Sequence, residues 1–306
     1  MKILIIFICF LIGKSHAKSY YKKNIVDKAH RSFSKKILKL SDNIDGFFAD
    51  SKHDDIENRS KLTISLDTYF REGRGPYAIP ELNYRLVLPR TEKRLQVFIE
   101  SEDKDKETEI DESQAKTNPK SKDNDDDLTA GLRYMIEKSG INLSTDTGVL
   151  VNMPVVVFAR FTAKKKVTFT NWVLKINEQV KWVNDEGFTS DLDLDFDKRL
   201  SKNLVLRMVN NTFWNDEDYI IRFENGPSLF QKINQKMALS YHAHVITFNE
   251  PSFVVEQYVL QVTYKQRLYK KWLFMQMTPY INFPRQRNFH RTPGFVLGFE
   301  AIAGHL

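Results

Sequence analysis

The fold class this sequence predicts is all-β: a transmembrane antiparallel up-and-down β-barrel of about fourteen strands. Three observations carry it. Apolar and polar residues alternate with period two over most of the chain, aromatic residues stand near the ends of the apolar faces, and the connections alternate in length and character. The alternation is strictest in "SDLDLDFDKR". There Leu192, Leu194 and Phe196 share one face and Asp191, Asp193, Asp195 and Asp197 the other. Lipid on one side and a polar lumen on the other would satisfy both faces. Buried carboxylates need water or bases there.

The chain opens "MKILIIFICFLIGKSHAKS". A basic Lys2, an apolar run too short to span a bilayer and small residues at 15–17 read as a secretory signal peptide, residues 1–17, cut after Ala17. The only cysteine, Cys9, lies inside it, so the mature chain would carry no disulfide and no cysteine-based metal site. Removing Lys2 and Lys14 takes the formal charge from +7 to +5. That charge is spread along the chain, and with export it argues against nucleic-acid binding.

Residues 18–58 are polar with one apolar stripe. Ile25, Ala29, Phe33, Ile37 and Leu40 recur at helical spacing before "SDNIDGFF" breaks the pattern. This short amphipathic helix packs on the main domain, plugs a barrel end or meets a membrane surface or periplasmic partner.

Residues 59–306 form the barrel. "KLTISLDTYF", "ELNYRLVL", "NWVLKINEQVKWV" and "YVLQVTYKQRL" each have one oily and one polar face. Strands are expected from about 61, 80, 94, 127, 142, 155, 171, 188, 203, 219, 236, 253, 272 and 294. The pieces at 142–153 and 219–232 are weakest, and the count falls to twelve if they are not strands. Trp172, Trp182, Trp214, Trp272 and Tyr280 would form the interfacial girdles. Short lysine-bearing connections (89–93, 138–140, 163–167, 200–203, 233–236, 268–271) alternate with others that are more acidic and often longer. The tight "NMP" at 152–154 fits that rule poorly. Polar faces expected to line the lumen carry Arg85, Arg133, Arg160, Lys175, Lys181, Arg207, Lys265 and Arg267 beside the four aspartates. Glu178 breaks the rule, being in phase with Trp172, Leu174, Ile176 and Val180; either the strand bulges or Glu178 meets protein.

The signal segment, long alternating strands, aromatic ends and lysine-bearing turns together resemble Gram-negative outer-membrane β-barrel proteins. "DNIDGFFAD…ENRSKLTISLDTYF" and the Phe-rich last strand resemble an uncharacterised proteobacterial group of them. The resemblance implies export, insertion by the outer-membrane assembly machinery, and contact with outer-membrane lipid and lipopolysaccharide. The chain departs from the pattern at its end, "FVLGFEAIAGHL": the last residue is Leu306, and Phe299 is the candidate assembly signal.

Chemistry-bearing motifs are sparse. Residues 101–127 form an acidic, core-less loop, in which Asp123, Asp125, Asp126 and Asp127 are weak divalent-cation candidates without EF-hand spacing. "SYHAH" sets Ser240, His242 and His244 on one face, a nucleophile–base or two-histidine metal pattern without further ligands. Nucleotide and common hydrolase motifs are absent, and no cofactor is called for. The expected role is a channel for small solutes. The alternatives are a closed structural or partner-binding barrel and an outer-membrane lipid-modifying enzyme.

Overall fold

The computed structural model describes Phe47 and residues 60–73, 75–88, 94–102, 127–151, 155–184, 186–217, 219–250, 252–270 and 272–304. Fourteen strands follow in order: β1 (Lys61–Arg71), β2 (Tyr77–Val87), β3 (Leu95–Glu102), β4 (Asp127–Lys138), β5 (Ile141–Leu150), β6 (Val156–Thr168), β7 (Val173–Val183), β8 (Gly187–Arg199), β9 (Leu204–Asn215), β10 (Ile221–Lys232), β11 (Met237–Phe248), β12 (Val254–Tyr269), β13 (Leu273–Pro284) and β14 (Thr292–Gly304). Each begins within three residues of its expected start. β5 and β10, the weak pieces, are full strands of 10 and 12 residues, so the count is fourteen and not twelve.

Every strand pairs antiparallel with its sequence neighbour, and β14 closes on β1 from Lys61↔Gly304 to Arg71↔Gly294. Closure leaves no free edge, the condition a sheet must meet inside hydrocarbon. Most strands exceed the roughly ten residues that a tilted membrane crossing needs. No helix among the described residues is long and apolar enough to cross a membrane.

The pleat sorts side chains as the alternation demands. Asp193, Asp195 and Asp197 point inward and are buried, while Leu192, Leu194 and Phe196 point out. Ile64, Leu132, Val157, Leu260 and Phe299 continue the exposed oily band around the barrel. Trp172, just before β7, and Trp182 stand at opposite ends of one outward row, with Lys198 Nζ 5.1 Å over the Trp172 ring. Ser139 (φ 56°) and Gly140 (φ 73°) join β4 to β5, the two positive φ angles of a tight hairpin turn.

Several expectations are corrected. "AKKKV" (163–167) is not a turn but the second half of β6; the turn follows it, closed by Phe169 N–H donating to the Trp172 carbonyl at 2.8 Å. Tyr280 is no girdle residue. It pairs with Gly294 and the inward Gln261, and packs against the buried Tyr69–Ile79–Val296 cluster in the space that Gly294 leaves open. β7 does not bulge at Glu178: its register runs unbroken on both sides, and Glu178 faces outward with Leu192 and Ala163.

Residues 1–17, expected to be a signal peptide, "NMP", residues 103–126 with Asp123, Asp125 and Asp126, and Leu306 lie outside the described residues. So does 18–58 except Phe47, which lies inside the barrel against Phe274, Ala238 and Ile302. That end of the barrel carries the turns β4–β5, β6–β7, β8–β9, β10–β11 and β12–β13 and both closing-strand termini.

Candidate functional site

The candidate site is the lumen wall, and four groups of ionic and polar side chains among the described residues stand out there. The first spans β3 to β6. Arg133 Nε and Nη2 donate to Asp146 Oδ1 and Oδ2 at 2.8 and 2.9 Å, and Arg160 Nε donates to Asp146 Oδ2 at 2.7 Å. Both guanidiniums also reach Glu100, at 3.2 and 2.9 Å. Two acids thus balance two bases, over the Phe98 ring at 4.9 and 5.5 Å.

The second group answers the aspartate ladder. Arg207 donates twice to Asp197, at 2.7 and 3.0 Å, and Lys175 Nζ lies 3.0 Å from the same carboxylate. Arg207 Nε is 3.8 Å from Asp195. Asn177 and Asn211 donate to Asp193 at 3.0 and 2.8 Å, and Asn211 also reaches Asp191. Asp193, Asp195 and Asp197 are 4, 3 and 0 % exposed. Bases and amides, rather than a water-filled interior, therefore answer these charges.

The third group holds "SYHAH". Ser228 Oγ lies 2.8 Å from His242 Nδ1 and 2.9 Å from His244 Nε2; Ser240 Oγ is 2.8 Å from His242 Nε2, and His244 Nδ1 is 2.7 Å from Glu224 Oε1. With both imidazoles neutral, one arrangement satisfies every partner. Ser240 donates to His242, His242 to Ser228, Ser228 to His244, and His244 to Glu224. Glu224, His244 and Ser228 have the connectivity of an acid–base–nucleophile triad. Yet Ser228 and Ser240 are 0 and 1 % exposed, so neither hydroxyl offers surface to a substrate. The fourth group is Lys265 Nζ bonded to Glu300 at 2.8 Å beneath Phe274, with Thr278 donating to Thr263 at 3.2 Å.

Arg85 lies on the inward row of β2, between Lys61 and Phe98. Lys181 lies 5.6 Å over the Phe158 ring, and Arg267 stacks on Phe274 at 5.5 Å and on Phe47 at 6.0 Å. Asp127 is the first residue of β4. Among the described residues no cluster of three or more metal-ligating side chains occurs.

Among the described residues, sequence reasoning missed one partner of each ion pair outside β7–β9, and both partners of the Arg222–Glu224 pair. Glu100, Asp146, Glu224 and Glu300 are the partner acids, and Ser228 is the hinge of the histidine group. Asp146 was hidden because its outward neighbours are Thr145 and Thr147, so "STDTG" shows no oily face. Glu100 did carry a signal, being in phase with the inward Gln96 and Phe98.

No family model matches the chain, and no curated protein does. Solved structures similar in fold are bacterial outer-membrane β-barrels. In-vitro folded OmpT of Vibrio cholerae matches at 9% identity and TM-score 0.45, over 80% of this chain and 96% of that one. A structure titled bacterial polysaccharide outer membrane secretin matches at 11% and 0.45, over 82% and 100%. The KdgM porin in complex with disordered oligogalacturonate matches at 7% and 0.38, over 78% and 98%. These likenesses assign no activity.

Proposed function

We propose that this chain is a Gram-negative outer-membrane pore for small solutes, restricted by its own charged wall and stoppered at the turn end by its N-terminal segment. One observation supports this most: a closed barrel is ionic inside and oily outside, so it needs lipid around it and polar contents within. Phe47, lodged against Phe274 and Arg267, supports the stopper. In this reading the chain is exported behind a cleaved signal, inserted by the assembly machinery and bordered by lipid and lipopolysaccharide. The burial of Asp193, Asp195, Asp197 and Lys265 favours a second reading, a barrel closed by its own side chains.

Conductance of the refolded mature protein in a planar bilayer, with and without residues 18–58, separates the two. Current steps only after truncation, or after Phe47→Ala, are expected for the stoppered pore. Steps in both forms would remove the stopper but keep the pore. Silence in both, from protein shown to be folded, would leave the closed barrel.

A further inference from the structure

The outer wall is asymmetric. Outward positions of β1–β4 and β11–β14 are mostly apolar, as at Leu66, Leu86, Leu132, Leu260 and Phe299, with few polar exceptions such as Thr68 and Gln266. Polar outward residues run across β5, where Thr145 and Thr147 face out, and carboxyl and amide groups deep in the band stand on β7–β10. Glu178 on β7 faces out between Ala163 and Leu192, Ser190 on β8 shares that face, and Thr212 and Asn210 on β9 and Asn225 on β10 extend it. Glu178 lies between Trp172 and Trp182 on one row, deep in the band those two residues bracket. Ser190 Oγ donates to it at 2.8 Å, and among the described residues no cation pairs with it. Asn225 makes no side-chain hydrogen bond among the described residues. Hydrocarbon offers such groups no partner, and polar groups at that depth are costly unless protein meets them.

We infer that the outward face of β7–β10 binds a second copy of this chain within the membrane, an inference that rests on the outer-membrane reading. The sector is self-complementary. It holds an acceptor, the Glu178 carboxyl, and donors, the Asn225 amide and the Thr212 hydroxyl, a few strands apart. A two-fold contact sets each against the other's counterpart. Ala163 and Ser190, both small, flank Glu178 and let a second wall approach closely.

The test uses the full chain with Cys9→Ser, expressed in outer membranes, with a cysteine at Asn225→Cys or, on the far wall, at Leu297→Cys. Mild oxidation is expected to give a band at twice the monomer mass for Asn225→Cys, about tenfold stronger than for Leu297→Cys, as a tenfold difference in association requires. Glu178→Leu in the Asn225→Cys background should weaken that band severalfold while the barrel stays heat-modifiable on a gel; leucine suits lipid, so folding is retained. Equal, weak bands from heat-modifiable barrels would overturn the interface. A cross-link at another mass would overturn the second copy in favour of a different partner. Absence of the folded barrel from the outer membrane would instead remove the outer-membrane reading on which the interface rests.

Discussion

Asp146→Asn tests whether the lumen wall is packed or wet. The substitution keeps the volume and one acceptor oxygen but removes the charge. Three N–H groups lose a charged acceptor: Arg133 Nε and Nη2, and Arg160 Nε, at 2.8, 2.9 and 2.7 Å. Asp146 is 1 % exposed. Removing one partner of a buried pair costs about 3–5 kcal/mol, because the remaining charge has no water to return to. Glu100 still holds both guanidiniums, and Arg133 keeps a little exposure, so the low end, about 3 kcal/mol, is expected. That is a change of about a hundredfold in the unfolding equilibrium. Urea unfolding of the refolded protein in lipid vesicles, followed by tryptophan fluorescence, measures it. Adding Arg160→Met should recover part of the loss, since one acid and one base then remain in balance. A loss under about 1 kcal/mol is the behaviour of a solvated surface pair, and would refute the packed wall at this level.

Three other outcomes follow from the same geometry. Leu194→Arg, outward on β8, should cost about 2–4 kcal/mol and impair assembly, whereas Asp193→Asn should still yield heat-modifiable barrel; equal failure of both would mean the facing is reversed. Gly294→Val should drive the Tyr280 ring from its place beside Tyr69 and Val296, lose about 1–3 kcal/mol and change the near-ultraviolet circular dichroism. Deleting residues 104–125, too acidic and too poor in apolar residues to build a core, should leave the heat-modifiable barrel intact; loss of that behaviour would make the loop structural.

What the sequence disclosed, and what it did not, follows from what period two reports. Where outward residues are large and apolar, as at Leu192, Leu194 and Phe196, the phase is unambiguous and the inward acids can be read directly. Where they are Thr145 and Thr147, or Asn225 and Pro227, the contrast between faces disappears. The strands there, β5 and β10, were the uncertain ones, and the inward Asp146, Glu224 and Ser228 went unseen with them. Tyr280 was misread for a related reason. An aromatic near a strand end suits a girdle as well as a lumen, and only its pairing with Gly294 tells them apart. Pairing partners were also beyond reach. That Arg133 and Arg160 share Asp146 depends on three strands meeting in one register, which one-dimensional alternation does not contain.

The ionic wall raises the question of what it contributes, because buried ion pairs are a weak source of stability compared with well-packed apolar residues. Register offers an answer. Side chains alternate with period two, so a slip of one residue between β7 and β8 would turn Asp193, Asp195 and Asp197 onto lipid and Leu192 and Leu194 into the lumen. A slip of two between β8 and β9 would keep the facing but separate Arg207 from Asp197 and strand each among unmatched charges. The paired charges therefore penalise both errors, whereas an apolar lumen would penalise neither. On this argument, replacing Glu100, Arg133, Asp146 and Arg160 together by apolar residues of similar volume should leave unfolding stability within about 1–2 kcal/mol of the parent. It should also lower the yield of correctly folded barrel on refolding. A quadruple variant that refolds as cleanly as the parent would mean that hairpin turns and the outward oily face set the register alone.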